Sequence, residues 1–205
     1  MQAREPALKA LQLVLASASP RRADLLSQIG LPFVVRPSDV VESLHETGSD
    51  TSASAVTQRL ALLKAVNVAA CFDDAIIIGA DTLVSLERVL LGKPIDAADA
   101  FEMLTRLSGT CHEVVTGVAL VDARNGREVV WSETTQVYFR EVSADEIKVY
   151  IATGEAADKA GAYGIQGRGA AFVRRIEGCY FNVVGLPLAS FVEHLSNFQS
   201  HHASV

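Results

Sequence analysis

No apolar run among the 205 residues approaches the eighteen or so needed to span a bilayer, which predicts no membrane partner. The opening segment MQAREPALKALQ lacks the long apolar centre of a secretory signal and reads as a frayed extension or a short helix. Cysteine is scarce: Cys71, Cys111 and Cys179 are widely separated, odd in number and without metal-type spacing. That pattern predicts reduced, partly buried thiols in a cytoplasmic protein. The five histidines show no ligand spacing, and His112 reads as structural. Basic charge is also short, with 18 Lys plus Arg against 24 Asp plus Glu and a net charge of −6. Such a chain repels phosphate backbones at long range, and it has no basic, aromatic-rich stripe, so no nucleic-acid partner is expected. No Ser-His-Asp order, Walker lysine motif or GxGxxG opening a helix is present, and neither repeat nor low-complexity tract interrupts the chain.

What is present is apolar and periodic. Hydrophobic residues make up 49%, enough for a sizeable core in a single domain spanning the chain, with residues 1–10 an extension and 200–205 a tail, both expected to be poorly ordered. Leu11 to Leu15 predicts a buried strand, and Pro20 to about Ile29 a helix with Leu25, Leu26 and Ile29 as its apolar stripe, closed by Gly30. A brief strand follows at Phe33 to Arg36. The next helix is expected from about Ser52 to Ala70, with Val56, Leu60, Leu63 and Asn67 on one face. Ala75 to Thr82 predicts a buried strand ending in a small-residue turn, and Leu83 to Leu91 a hairpin turning near Glu87 and Arg88. Asp96 is placed to cap a helix with Ala100, Met103, Leu104 and Leu107 on its core face. Two long strands, roughly Glu113 to Asp122 and Arg127 to Arg140, flank Asn125-Gly126, a type I′ hairpin signal. Ser143 and Glu146 form a capping box for a helix reaching about Thr153. A glycine-rich loop spans Asp158 to Gly169. Strands at Ala171 to Ile176 and Val183-Val184 precede a closing helix, Leu188 to Phe198. The interleaving of strands and helices predicts an α/β fold with a mixed sheet.

Chemistry concentrates where strand ends, small residues and fixed charge coincide. The stretch LVLASASPRR leaves a strand, turns through hydroxyls and opens a helix at Pro20, with Ser19 suited to the N-cap. A helix start with two guanidinium groups suits a multi-oxygen anion, above all phosphate. Alone, SPRR fits an ordinary capped turn as well. Three further stretches share the look: Gly79 to Thr82, Gly92 to Pro94, and Asp158 to Gly169. If they converge, Arg21, Arg22, Lys93 and Lys159 gather as cations with Asp81 and Asp158 as acids, and Lys64 joins from one side. A nucleoside triphosphate with a divalent metal fits that set, cations on phosphate oxygens and acids on metal or water. Each member also has an ordinary structural reading, Asp81 as a strand-end cap and Lys93 as a solvated turn lysine among them.

The blocks LASASPRR, GADT, GKP, LSG-x-x-H-x-V-x-TG, DKAGAYGIQG and NVVGLPL, in this order from Leu13 to about Phe198, resemble the Maf family of nucleotide pyrophosphatases. The resemblance implies hydrolysis of a nucleoside triphosphate to monophosphate and pyrophosphate with Mg²⁺ or Mn²⁺. It implies an elongated α/β fold with two lobes around a cleft, like that of inosine triphosphate pyrophosphatases, often in a homodimer. It places Ser17, Arg21, Arg22, Lys64 and Lys93 toward phosphate, Asp81 as proton acceptor, and Glu42 at an acidic position beside the cleft. Glu42 and Asp81 are thus the candidates for metal. Arg21, Thr82 and Gln166 match the branch acting on dTTP and UTP, and a Gln amide can read the imide edge of thymine or uracil. The chain departs from the family at Val41, where a second acid is common. It departs again at Leu62-Leu63, where an Arg-Glu pair is common, and this leaves the orientation of Lys64 open. The alternative function is a nucleotide-binding regulator of cell division acting through a partner.

Overall fold

A computed structural model describes residues 12–40 and 52–200. Its centre is a seven-stranded mixed sheet in the order β2-β1-β3-β5-β6-β7, with β4 also on β3. The strands are β1 (Gln12–Leu15), β2 (Phe33–Val35), β3 (Ala75–Leu86), β4 (Val89–Leu91), β5 (Cys111–Asp122), β6 (Glu128–Phe139) and β7 (Val173–Glu177). The helices are α1 (Pro20–Gln28), α2 (Ala53–Ala69), α3 (Ala97–Leu107), α4 (Ala144–Ile151), α5 (Tyr180–Val184) and α6 (Leu188–Ser200). β1 runs parallel to both β2 and β3, and every other pairing is antiparallel. The expected mixed α/β fold is therefore the observed one.

Alternation along β3 sorts its side chains between two layers. Ile77 faces α2, joining Val14, Ala61, Ala65 and Ala119 in one core, whereas Ile76, Ile78 and Ala80 face α1 and α6 with Leu25, Leu26 and Phe191. Further along, on the same side as Ile78, Val84 and Leu86 join a separate core with Leu104, Val137, Phe139 and Ile147 beneath α3 and α4. Two apolar lobes thus share one face of the sheet, and Thr82 falls between them.

The edge of β3 is shared as well. β1 pairs with its first residues through Ile78 and β4 with Val84–Leu86, while β5 covers the opposite edge from Ile76 to Ser85. Between β1 and β4, Gly79–Leu83 is flanked by β5 alone among the described residues, and a cleft opens there.

Several expectations are corrected. β3 is continuous, so GADT lies inside a strand and not in a turn at its end. The reason is α2: a Cβ on Gly79 would sit 2.0 Å from the Ala61 carbonyl oxygen, so the small residue serves helix-to-sheet contact. The buried face of α2 is Val56, Thr57, Leu60, Ala61, Lys64, Ala65 and Val68, with Leu63 and Asn67 turned to solvent. Val183-Val184 belongs to helix α5 and not to a strand. The Asn125-Gly126 hairpin forms, but only Gly126 takes a positive φ, 73°, where a type I′ turn needs two such residues. The turn at Glu87 and Arg88 does have two, 51° and 68°. Ser200, assigned to the tail, closes α6. Cys71 and Cys111 are exposed and Cys179 half-buried, all three free thiols. The capping box of α4, the Asp96 cap of α3 and the core face of α3 form as expected. No helix among the described residues is long and apolar enough to cross a membrane.

Candidate active site

The cleft beside β3 has a volume of about 940 Å³, at the large end of the ~300–1,000 Å³ typical of small-molecule sites. All four stretches singled out in the sequence contribute to its walls, together with α2, the β3-β4 hairpin, α3 and the end of α5. Ser17, Arg21, Arg22, Lys64, Asp81 and Thr82 line it, as do Lys93, Asp158, Lys159 and Gln166. Glu42 lies outside the described residues.

The turn after β1 delivers the first group. Ser19 holds the N-cap position of α1, yet its side chain makes no capping bond; its N–H donates instead to Ser17 Oγ at 3.2 Å. Pro20 at the first helical position then fixes the exit angle, so Arg21 and Arg22 leave on adjacent faces. Arg22 is buried, and its guanidinium donates to Gly185 O at 2.8 Å, Ser17 Oγ at 3.1 Å and Thr82 Oγ1 at 3.0 Å. Three separate segments therefore hold one fork in one orientation.

Asp81 points the other way, toward α2, because it is one residue out of phase with Thr82. Lys64 Nζ meets its Oδ1 at 2.6 Å, with both side chains over nine-tenths buried. The close approach that Gly79 allows, with Ala61 and Ala65 on the same helical face, brings Lys64 within reach. This settles the orientation of Lys64: it is on the carboxylate.

The glycine-rich loop forms the outer wall. Asp158 accepts from Arg21 at 3.1 Å and from Lys159 at 2.6 Å, and Lys159 also donates to the Glu155 carbonyl at 2.6 Å. Partial burial opposes the charge on Asp158, but Lys159 and Arg21 together hold its carboxyl below the ordinary range. Gly161 and Gly167 take positive φ, and Gly169 is required by the Gly164 carbonyl, 2.5 Å from where a Cβ would sit. Gly161 N–H donates to Gly92 O at 3.0 Å, tying this loop to the one that carries Lys93.

Six cations and three carboxylates line the cleft among the described residues, so its field is positive inside a chain of net charge −6. Arg88 is one of those cations, and it was read in the sequence only as part of a hairpin turn. Three further residues escaped the sequence reading: Thr116, Thr135 and Asn182, each with no exposed surface and each hydrogen-bonded within a few ångströms of Thr82 or its neighbours. Only the TG and NVVGLPL blocks hinted at two of them.

A mixed sheet opened along one strand edge, with cations gathered around the opening, defines an α/β protein with a cationic cleft. The chain belongs to the Maf family: the family described as Maf-like protein matches residues 12–198. It is 54% identical over 187 residues to the dTTP/UTP pyrophosphatase of Moorella thermoacetica, covering 91% of this chain and 95% of that one. It is 52% identical to the dTTP/UTP pyrophosphatase of Symbiobacterium thermophilum, covering 91% and 94%. The dTTP/UTP pyrophosphatase of Alkaliphilus oremlandii is 51% identical over 178 residues, 86% of this chain and 91% of that one. A solved nucleoside-triphosphatase, a dITP/XTP pyrophosphatase from Mycobacterium abscessus, aligns over 64% of this chain and 76% of its own at 18% identity, with a TM-score of 0.41. That likeness is too loose to carry an argument about this chain.

Proposed function

We propose that the protein hydrolyses dTTP and UTP to the monophosphate and pyrophosphate, the activity named for relatives that share about half its residues over nearly its full length. The observation that carries the reading is the pairing, in one cleft, of a rigidly held Arg22 with a buried Lys64–Asp81 ion pair. Arg21, Arg22, Lys93 and Lys159 take the phosphate oxygens, and Ser17 fixes Arg22 for that task. Water attacks the α-phosphorus in line with the leaving pyrophosphate. Asp81 orients that water and accepts its proton as the P–O bond to the leaving group breaks. Lys64, 2.6 Å from Oδ1, keeps the carboxylate aimed. Gln166 reads the pyrimidine edge, and Arg21 and Thr82 shape the same choice.

Among the described residues no three His, Cys, Asp or Glu side chains cluster to hold a metal by themselves. Magnesium on a nucleotide needs little from a protein: one or two carboxylates suffice when phosphates supply the rest. Asp81, at the floor of a cationic cleft, fits that mode, and Glu42 is the second candidate. A bound Mg²⁺ or Mn²⁺ would neutralise charge growing on the leaving oxygens. A cytoplasmic homodimer belongs to the same proposal. A regulator that only bound nucleotide would have no use for a lysine-held carboxylate beside the phosphate cradle.

The test is a panel of nucleoside triphosphates with Mg²⁺ or Mn²⁺, assayed for both products. Monophosphate and pyrophosphate appearing together, fastest from dTTP and UTP, is the expected result. Orthophosphate as the first inorganic product, or tight binding with no turnover, rejects it.

A further inference from the structure

The two apolar lobes are separated by a row of buried polar side chains. On β3, Thr82 lies between Ala80 in one lobe and Val84 in the other. Thr116 on β5 lies directly across from Thr82, between Val118 and Val114 of the same two lobes. Thr135 on β6 pairs with Val114. Asn182 of α5 closes over the row. None of Thr116, Thr135 and Asn182 exposes any surface.

The hydrogen bonds in this row have a fixed direction. Thr116 Oγ1 donates to the Asn182 carbonyl at 3.0 Å, and a hydroxyl has one proton to give. At the 2.9 Å contact between Thr82 Oγ1 and Thr116 Oγ1, Thr82 must then be the donor. Thr82 in turn accepts from Arg22 Nη2 at 3.0 Å. The chain therefore runs one way: guanidinium to Thr82, Thr82 to Thr116, Thr116 to a backbone carbonyl. Asn182 itself is locked, its Nδ2 donating to Val114 O and to Thr135 Oγ1, both at 2.9 Å. Thr135 Oγ1 is fully used, accepting from Cys179 N and donating to Cys179 O, both at 3.0 Å. Three residues beyond Asn182, Gly185 O takes Arg22 Nε at 2.8 Å. So α5 and its C-cap Gly185 grip the guanidinium twice, once directly through Gly185 and once through the two threonines.

We infer that Thr116 and Asn182 are positioning residues for the cleft, holding Arg22 in its anion-binding orientation through Thr82 although neither is expected to touch substrate. The inference rests on Arg22 being a phosphate ligand, as in the proposed function. It also gives Thr82 a defined part. Its proton is committed to Thr116, so it acts on specificity by aiming Arg22 and not by donating to a base.

The test compares Thr116→Val, which keeps shape and removes the hydroxyl, with Thr116→Ser, which keeps the hydroxyl. Two readouts are taken: KM and kcat for dTTP, and the calorimetric affinity for inorganic triphosphate. In Thr116→Val, KM is expected to rise about tenfold with a smaller change in kcat, and triphosphate affinity to fall by the same factor. Thr116→Ser is expected to stay within about threefold of wild type in both. A merely structural role would lower kcat with the active fraction and leave KM and affinity alone. In an Arg22→Met background, Thr116→Val is expected to add nothing, because its effect passes through the missing guanidinium. Independent, multiplying losses overturn the inference, as does unchanged affinity in Thr116→Val. If Thr116→Val fails to fold, Thr82→Val, which breaks the same chain of hydrogen bonds at its next link, carries the comparison, with the same outcomes deciding. Wild-type protein that binds triphosphate but releases no pyrophosphate from nucleotides sinks the proposed function alone, and the affinities still decide this point. Wild-type protein that does not bind triphosphate overturns both.

Discussion

Lys64 and Asp81 are each other's environment, so a change at one is felt through the other. Removing the lysine leaves a carboxylate that is over nine-tenths buried without its partner at 2.6 Å. Breaking a buried pair from one side typically costs ~3–5 kcal/mol, and Lys64→Met is expected to lose that much in urea unfolding. Asp81→Asn is milder, because the amide oxygen can still accept from Nζ; a loss of ~1–3 kcal/mol is expected. The functional consequences run in the opposite sense. An amide accepts no proton from water, so pyrophosphate release by Asp81→Asn should drop ~10²–10⁴-fold, the usual share of a general base. Nucleotide affinity, measured by calorimetry on the same preparation, should stay close to wild type. Turnover retained by the variant would remove Asp81 from the reaction. At this scale much of the site was legible, because charged residue types in SPRR, GADT, GKP and DKAGAYGIQG announce themselves. The partners were not: nothing in the sequence says that Lys64 meets Asp81, or that Asp158 divides itself between Arg21 and Lys159.

Elements were legible where one face is apolar and the other polar, and misread where apolar residues fall on both. α3 shows its core stripe plainly, with Ala100, Met103, Leu104 and Leu107 buried as the period requires. α2 carries apolar residues all round, and period alone put Leu63 and Asn67 on the face of Val56 and Leu60. Val56 and Leu60 are buried as expected, but the places beside them go to Thr57 and Ala61, where the glycines of β3 and β5 let the helix press in. Val183-Val184 has the β-branched character of a strand, yet Asn182 and Gly185 pin the segment as a helix, a tertiary demand that local preference does not encode. The consequence of the α2 contact can be measured. A Cβ at Gly79 would lie 2.0 Å from Ala61 O, and one at Gly117 would lie 2.3 Å from the Thr57 carbonyl carbon. Both obstacles are backbone, so the helix must move as a body. Gly79→Ala is expected to cost about 3 kcal/mol, the upper end for an overpacked core. Because the displaced helix carries Lys64, kcat should fall further than the folded fraction in the same sample. A loss of stability with kcat per folded molecule unchanged would show that α2 does not set the ion pair.

Across the whole molecule, the lobe beneath α3 and α4 holds two groups that respond to acid, His112 and Glu146. His112 is 2% exposed, its ring edge-on to Phe139 and Tyr163 with centroids at 5.0 and 5.4 Å. Nε2 lies 2.8 Å from Tyr163 OH, and burial pushes the imidazole pKa down from 6.5 to about 4. The unfolded chain therefore binds a proton between pH 6.5 and 4 that the folded chain refuses. Stability from this group is full above pH 6.5 and is lost as pH falls toward 4, on the order of 3 kcal/mol in all. Glu146 extends the loss to lower pH. Its hydrogen bonds with Arg140 and with Ser143 bring its pKa down from 4.5 to about 2, so its contribution is present above 4.5 and fades below. The same lobe forms one wall of the cleft through Tyr163, whose hydroxyl is held by that histidine. Urea midpoints measured at pH 7.5 and pH 5.0 should thus differ clearly in the wild-type chain. In His112→Gln, which cannot charge, the two midpoints should coincide, whatever the substitution does to stability at neutral pH. An undiminished difference in that variant would assign the acid sensitivity to carboxylates elsewhere and leave His112 as a packing residue only.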